Sequence, residues 1–443
     1  MRRRSILILS VLALIASACS SATTATEAPA ETEAPATTTA PATTTTTTTT
    51  VAETTTTTTV PETTTTTTVD LEAAESVMRE QIAEMIGEVE RITRKEFLYD
   101  PDVIIGTPTE MRERLAELIA EDTTEEDLKV QESFLVSLGA ITPERDWVGE
   151  AIENSVGGVV GFYDPDTEEL WVTNLGTTFG PYALSVVVHE LQHALQDQLW
   201  DLSSFDYLYD EGQYEAYEAL TMLIEGEARY VEDQYLNTFD EAQRLAYNSE
   251  AGSFGGGRPQ PALTQFVTLA YYKDGRGFVE DLYEEGGWDA VDAAWADPPT
   301  TTEQAKHTNR YLESEQPIPV DVPELDLDGY VLWEQDMWGE NDFIGMFAVE
   351  EVGAAGVLAA TKWGGDEYQL YWNAERETTV LVIGVVGDND EATANYLEGL
   401  TVYRDKVEKA EDEIAVFESG GLVYFVASED PVGLAEAAAA LSG

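Results

Sequence analysis

His189-Glu190-Leu191-Gln192-His193 sets two imidazoles four residues apart, with a carboxylate directly after the first. On a helix four residues advance 400°, so both rings project from adjacent turns of one face, about 40° apart, and can grip one ion. Zinc takes imidazole nitrogen at about 2.0 to 2.1 Å and in catalytic sites keeps one coordination position for water. Glu190, about 100° round the helix from His189, can reach that water as a general base, and the metal lowers the water's pKa towards neutrality. The whole chain of 443 residues holds three histidines. A third protein ligand is required, and no other histidine lies nearby in sequence.

The segment Leu223-Ile224-Glu225-Gly226-Glu227-Ala228 resembles the Glu-Gly-x-Ala segment that supplies the third ligand in gluzincin peptidases. The resemblance implies that Glu225, on a second helix, completes a His₂Glu zinc site; Glu227, Glu218 and Glu215 are the alternative carboxylates. Further segments are similar to those of a group of bacterial secreted and lipoprotein HExxH proteins: His-Glu-Leu-x-His-Ala-Leu-Gln-Asp-Gln at 189–198, Glu-Gly-x-Ala at 225–228, Gly-Gly-Trp at 286–288, Thr-Glu-Gln with a nearby histidine at 302–307, and Trp-Gly-Gly-Asp at 363–366. The likeness spans roughly residues 150 to 380 and implies a zinc metallopeptidase that acts on peptides or proteins outside the cell.

Hydrolysis of a peptide bond passes through an oxyanion that a positioned donor stabilises. His307, the one remaining histidine, is the candidate donor, with Tyr271, Tyr272 and Tyr311 as alternatives. Asp197, one turn beyond His193, is a candidate to orient an imidazole. Two other readings stay open. One is a catalytically silent surface protein that uses a peptidase-like scaffold for binding; retention of Glu190 argues against it, because a structural site has no use for a base beside an open position. The other is a zinc amidase acting on cell-wall peptide.

Elements must hold these residues. The apolar spacing predicts helices over 70–97, 109–120 and 124–138, the last with Thr123, Thr124, Glu126 and Asp127 as start signals. Residues 156–163 and 169–173 read as a hairpin about the turn Asp164-Pro165-Asp166-Thr167, whose strand edge could receive an extended substrate. Helices are expected over 182–199, which carries the histidine pair, and 211–235, with a loop over 252–261 and short helices over 278–283 and 288–295. Beyond residue 317, strands at 380–386, 414–417 and 422–426 with helices at 389–402 and 431–441 suggest a small α+β unit, in which 363–366 reads as a turn. The expected class is α+β: a mainly helical, zincin-like domain over 71–315 with a small hairpin or sheet, then an α+β unit over 316–443.

The N-terminal sixth carries no core. Residues 1–18 combine Arg2, Arg3 and Arg4 with an apolar run too short to span a bilayer, and Ala-Ser-Ala precedes Cys19, the only cysteine. That arrangement resembles a lipoprotein signal and implies a lipid anchor on Cys19, hence an extracytoplasmic, membrane-tethered protein. Residues 20–69 are a Thr-rich stalk with too few apolar side chains to offset chain entropy. A net charge of −62, from 85 Asp and Glu against 23 Lys and Arg, makes nucleic acid an unsuitable partner.

Overall fold

The computed structural model describes residues 71–143, 145, 147, 159–173, 176–254, 260–349, 352–407 and 413–442. The expected signal segment and stalk, Cys19 and residues 156–158 of the expected hairpin lie outside them. The chain is α+β. Helix α1 (Leu71–Thr93) leads to strand β1 (Asp102–Gly106), then to α2 (Pro108–Asp122) and α3 (Glu125–Leu138). Both later helices start on capping boxes. Thr107 and Thr124 accept from the backbone N–H three residues on, and Glu110 and Asp127 return the bond.

Strands β2 (Gly161–Asp164) and β3 (Glu169–Thr173) form the expected hairpin. β1 adds to it in parallel register, Val103 opposite Leu170, so the hairpin is two-thirds of a sheet ordered β1-β3-β2. A parallel partner some sixty residues away leaves no local signature, and β2 is thereby left as an edge strand.

Helix α4 (Pro181–Trp200) begins with proline at its first turn, where the missing N–H costs nothing. After the short α5 (Asp206–Asp210) come α6 (Tyr214–Leu236), α7 (Glu241–Phe254), α8 (Ala262–Gly286), α9 (Trp288–Ala296), α10 (Thr302–Lys306) and α11 (Thr308–Leu312). Two expectations need correcting. The loop over 252–261 gives way on its N-terminal side to α7, and the short helix over 278–283 is only the end of the 25-residue α8. Gly275 and Gly277 lie within α8. A Cβ on Gly275 would stand 2.1 Å from the Met222 carbonyl oxygen, and one on Gly226 would stand 2.3 Å from the Gly275 carbonyl. Glycine at these positions lets α6 and α8 touch backbone to backbone, and that packing offsets the roughly 1 kcal/mol of lost helix propensity at each glycine.

The second sheet has the order β4-β5-β6-β8-β7, antiparallel throughout: β4 (Val331–Asp336), β5 (Trp363–Asn373), β6 (Thr378–Gly387), β7 (Ile414–Ser419) and β8 (Leu422–Ser428). Between them lie α12 (Gly339–Val349), α13 (Ala354–Ala360) and α14 (Asp390–Lys406), and α15 (Pro431–Leu441) closes the chain. Residues 363–366 are the start of β5 and not a turn: Gly364 and Gly365 are needed because a Cβ on either would meet the Gly387 or Ile318 backbone. One apolar core runs through Phe134 on α3, Met222 on α6, Tyr271 on α8 and Phe347, Trp363 and Phe425 beyond residue 315. A second gathers α1, the small sheet, α4, α6 and α9. Among the described residues no helix is long and apolar enough to cross a membrane.

Candidate metal centre

Helix α4 crosses α6 with its histidine face inward, and His189, Glu190, His193 and Glu225 are all buried. His189 Nε2 lies 3.1 Å from His193 Nε2 and 3.2 Å from Glu225 Oε2, and His193 Nε2 lies 3.6 Å from that same oxygen. Ligand atoms about 2.0 to 2.1 Å from a zinc at tetrahedral angles stand about 3.3 to 3.4 Å apart. The three atoms thus define one face of a tetrahedron of the right size. The imidazole planes meet at 82°, with the two rings edge to face. Among the described residues this is the one group of three His, Cys, Asp or Glu side chains close enough to hold a metal ion.

Before a metal binds, the centre holds a proton on His189 that the metal would displace. Burial works against charge on all of these groups. On His189, however, Glu225 and Glu232 outweigh it and hold the ring's pKa up at about 10. On Glu225, His193 and His189 outweigh it and hold the carboxyl down at about 2. Glu225 is therefore anionic where a cation would sit. On Glu190 burial wins over the two histidines and raises the pKa. Its Oε1 is buried with no hydrogen-bond partner among the described residues, although the Tyr163 backbone N–H donates to the carboxylate. A buried carboxylate oxygen left without a donor costs about 1 to 3 kcal/mol, so it calls for an occupant.

Orientation comes from Gln196, Glu227 and Glu232, to none of which the sequence pattern assigned that role. His193 Nδ1 lies 2.9 Å from Gln196 Oε1. The amide oxygen can only accept, so Nδ1 carries the proton and Nε2 keeps its lone pair for the metal. The amide is fixed in turn, since Gln196 Nε2 donates to the Ile224 carbonyl at 3.0 Å and to Glu227 at 3.1 Å. Trp295 Nε1 also donates to Glu227, at 2.8 Å. Glu227, an alternative metal ligand, thus supports His193 through Gln196. On the other side Glu232, held by Arg229 at 2.7 Å, stands 3.7 Å from His189 Nδ1. Its seven-residue interval from Glu225 was the available signal, for two turns of helix bring a side chain back to the same face.

Asp197 is not the orienting residue. It accepts from the Tyr163 hydroxyl at 2.6 Å and from the Leu202 N–H at 2.8 Å, tying α4 to β2 and to the turn that follows the helix. β2 runs beside Glu190: a Cβ on Gly161 would stand 3.4 Å from Glu190 Cγ.

Glu215 and Glu218 lie on α6 upstream of Glu225, and both line a separate cavity. His307 sits between α10 and α11 with Nε2 2.9 Å from the buried Glu340 carboxylate. Among the described residues no hydrogen bond or ring contact links His307 to His189, Glu190, His193 or Glu225. The Tyr311 hydroxyl donates to the Asp297 carbonyl at 2.8 Å, and Tyr271 faces the cavity of Glu215 and Glu218. Tyr272 is the tyrosine beside the metal group, its ring 6.0 Å from that of His189.

In comparisons with known proteins, no family model, no curated sequence and no solved structure matches this chain.

Proposed function

We propose that the chain is a zinc-dependent, zincin-like hydrolase of peptide bonds, held outside the cell by a lipid on Cys19. The observation that carries this reading is the pairing of His189 Nε2, His193 Nε2 and Glu225 Oε2 at zinc-ligand spacing with the partnerless oxygen of Glu190. A bound zinc would supply a Lewis acid that lowers the pKa of water and polarises the scissile carbonyl. Glu190 accepts the proton of the attacking water and returns it to the departing amine; its raised pKa suits a group that must hold a proton between the two steps. The edge strand β2 can receive an extended peptide through its backbone. His307 is retained as a donor candidate only through a movement that frees it from Glu340; Tyr272 needs no such movement to stand near His189.

Metal analysis of the purified chain together with digestion of a peptide library and of cell-wall peptide tests the reading. Wild type should carry equimolar zinc and cleave. Glu190→Gln should keep the zinc and lose turnover by about 100-fold or more. Equal cleavage by both proteins removes the hydrolytic centre from consideration, and cleavage confined to cell-wall peptide would narrow the substrate class.

A further inference from the structure

Upstream on α6 lies a cavity walled by the carboxylates of Glu215, Glu218 and Asp342 and by the rings of Phe134, Tyr271 and Trp338. Glu215 and Glu218 are 2% and 5% exposed, and Oε2 of each has no hydrogen-bond partner among the described residues. Two further polar groups in the same wall, Thr264 Oγ1 and Trp338 Nε1, are buried without a partner as well. Buried carboxyl groups without a paired cation hold on to their protons, as burial makes Glu215, Glu218 and Asp342 do here, and release them when a cation arrives to pair with them. The neighbouring Lys306 is engaged with Asp274 and Asn341. Glu215 takes its donors, the Thr302 N–H and hydroxyl, on Oε1 alone.

The arrangement does not suit a divalent metal, because three ligand atoms converge closely enough for one only at His189, His193 and Glu225 among the described residues. Carboxylates spread over a wider wall suit an organic cation with several N–H donors. The aromatic remainder of the wall suits an aliphatic stem and the face of a cation. Position supplies the last constraint. Glu218 stands seven residues before Glu225 on the same face of α6, about 10 Å along the axis. Tyr271 in the cavity wall adjoins Tyr272, whose ring packs by His189. An extended peptide advances about 3.3 Å per residue, so a side chain within a residue or two of the scissile bond reaches this distance.

We propose that this cavity is the pocket for a cationic side chain, a lysine or arginine of the peptide substrate, with its charge against Glu218, Glu215 and Asp342. The assignment rests on reading the metal centre as a peptide hydrolase. The test therefore uses a ligand with no bond to cleave. Butylguanidinium, titrated calorimetrically into the full chain at neutral pH, should bind, and its uncharged analogue butylurea should not. Glu218→Gln should weaken butylguanidinium at least tenfold while zinc content is unchanged, and Asp342→Asn should do the same if the first variant unfolds. Absence of butylguanidinium binding, or binding that neither substitution weakens, overturns the pocket whatever the digest shows. Binding by a chain that cleaves nothing supports the pocket and sinks the hydrolase. Cleavage indifferent to basic residues, with no binding, leaves the hydrolase and removes the pocket.

Discussion

At the scale of single residues, the centre depends on side chains that never touch the metal position. Gln196 decides which nitrogen of His193 carries a proton, and Glu227 decides which way the Gln196 amide faces. Replacement of such an orienting partner typically weakens metal affinity 10- to 100-fold. Gln196→Leu removes the acceptor for His193 Nδ1 and should weaken zinc by about that factor, measured by competition with a chelating dye. Unaltered affinity would mean that the tautomer of His193 is set some other way. Asp197→Asn, by contrast, should leave zinc affinity as it is, because that carboxylate serves Tyr163 and Leu202.

At the scale of elements, the contact between α6 and α8 explains why glycine follows Glu225. The Gly226 and Gly275 backbones meet with no room for a Cβ, and this closeness brings Tyr272 against His189. Gly226→Ala forces backbone apart instead of a flexible side chain. It should destabilise the chain by about 2 kcal/mol or more, despite alanine's better helix propensity. A thermal melt checks this, and a variant as stable as wild type would show that the helices can slide past each other. The Glu225-Gly226 pair was legible as a segment, but the reason for its glycine lay fifty residues away.

At the scale of the whole molecule, an excess of acids is folded into the interior. Burial pushes the Asp342 carboxyl from 3.8 up to about 8, with Asp366 adding to the rise and Lys306 opposing it. Asp366 is itself held up at about 7, by burial first. The folded chain thus keeps protons that the unfolded chain releases, so their contribution to stability is whole below the unfolded pKa and is lost as pH climbs through the folded one. The thermal midpoint of the metal-free chain should fall between about pH 4 and about pH 8. Asp342→Asn, uncharged throughout, should fall less steeply. Identical slopes for the two proteins would show that Asp342 does not hold a proton in the fold.

The two imidazoles, the carboxylate between them and the starts of α2, α3 and α4 are legible in the amino-acid order. Each follows from contacts within a turn or two of helix, where the 3.6-residue period turns spacing into direction and capping residues mark an end. Four acids on one stretch, Glu215, Glu218, Glu225 and Glu227, could not be told apart by spacing, and only the resemblance of 225–228 to a gluzincin segment favoured Glu225. It took the packed fold to show that Glu225 faces the histidines while Glu227 supports Gln196, that β1 joins β3, and that residues from 134 to 368 enclose one cavity. These outcomes depend on which distant surfaces bury one another, and that information is spread over the whole chain instead of residing in any segment of it.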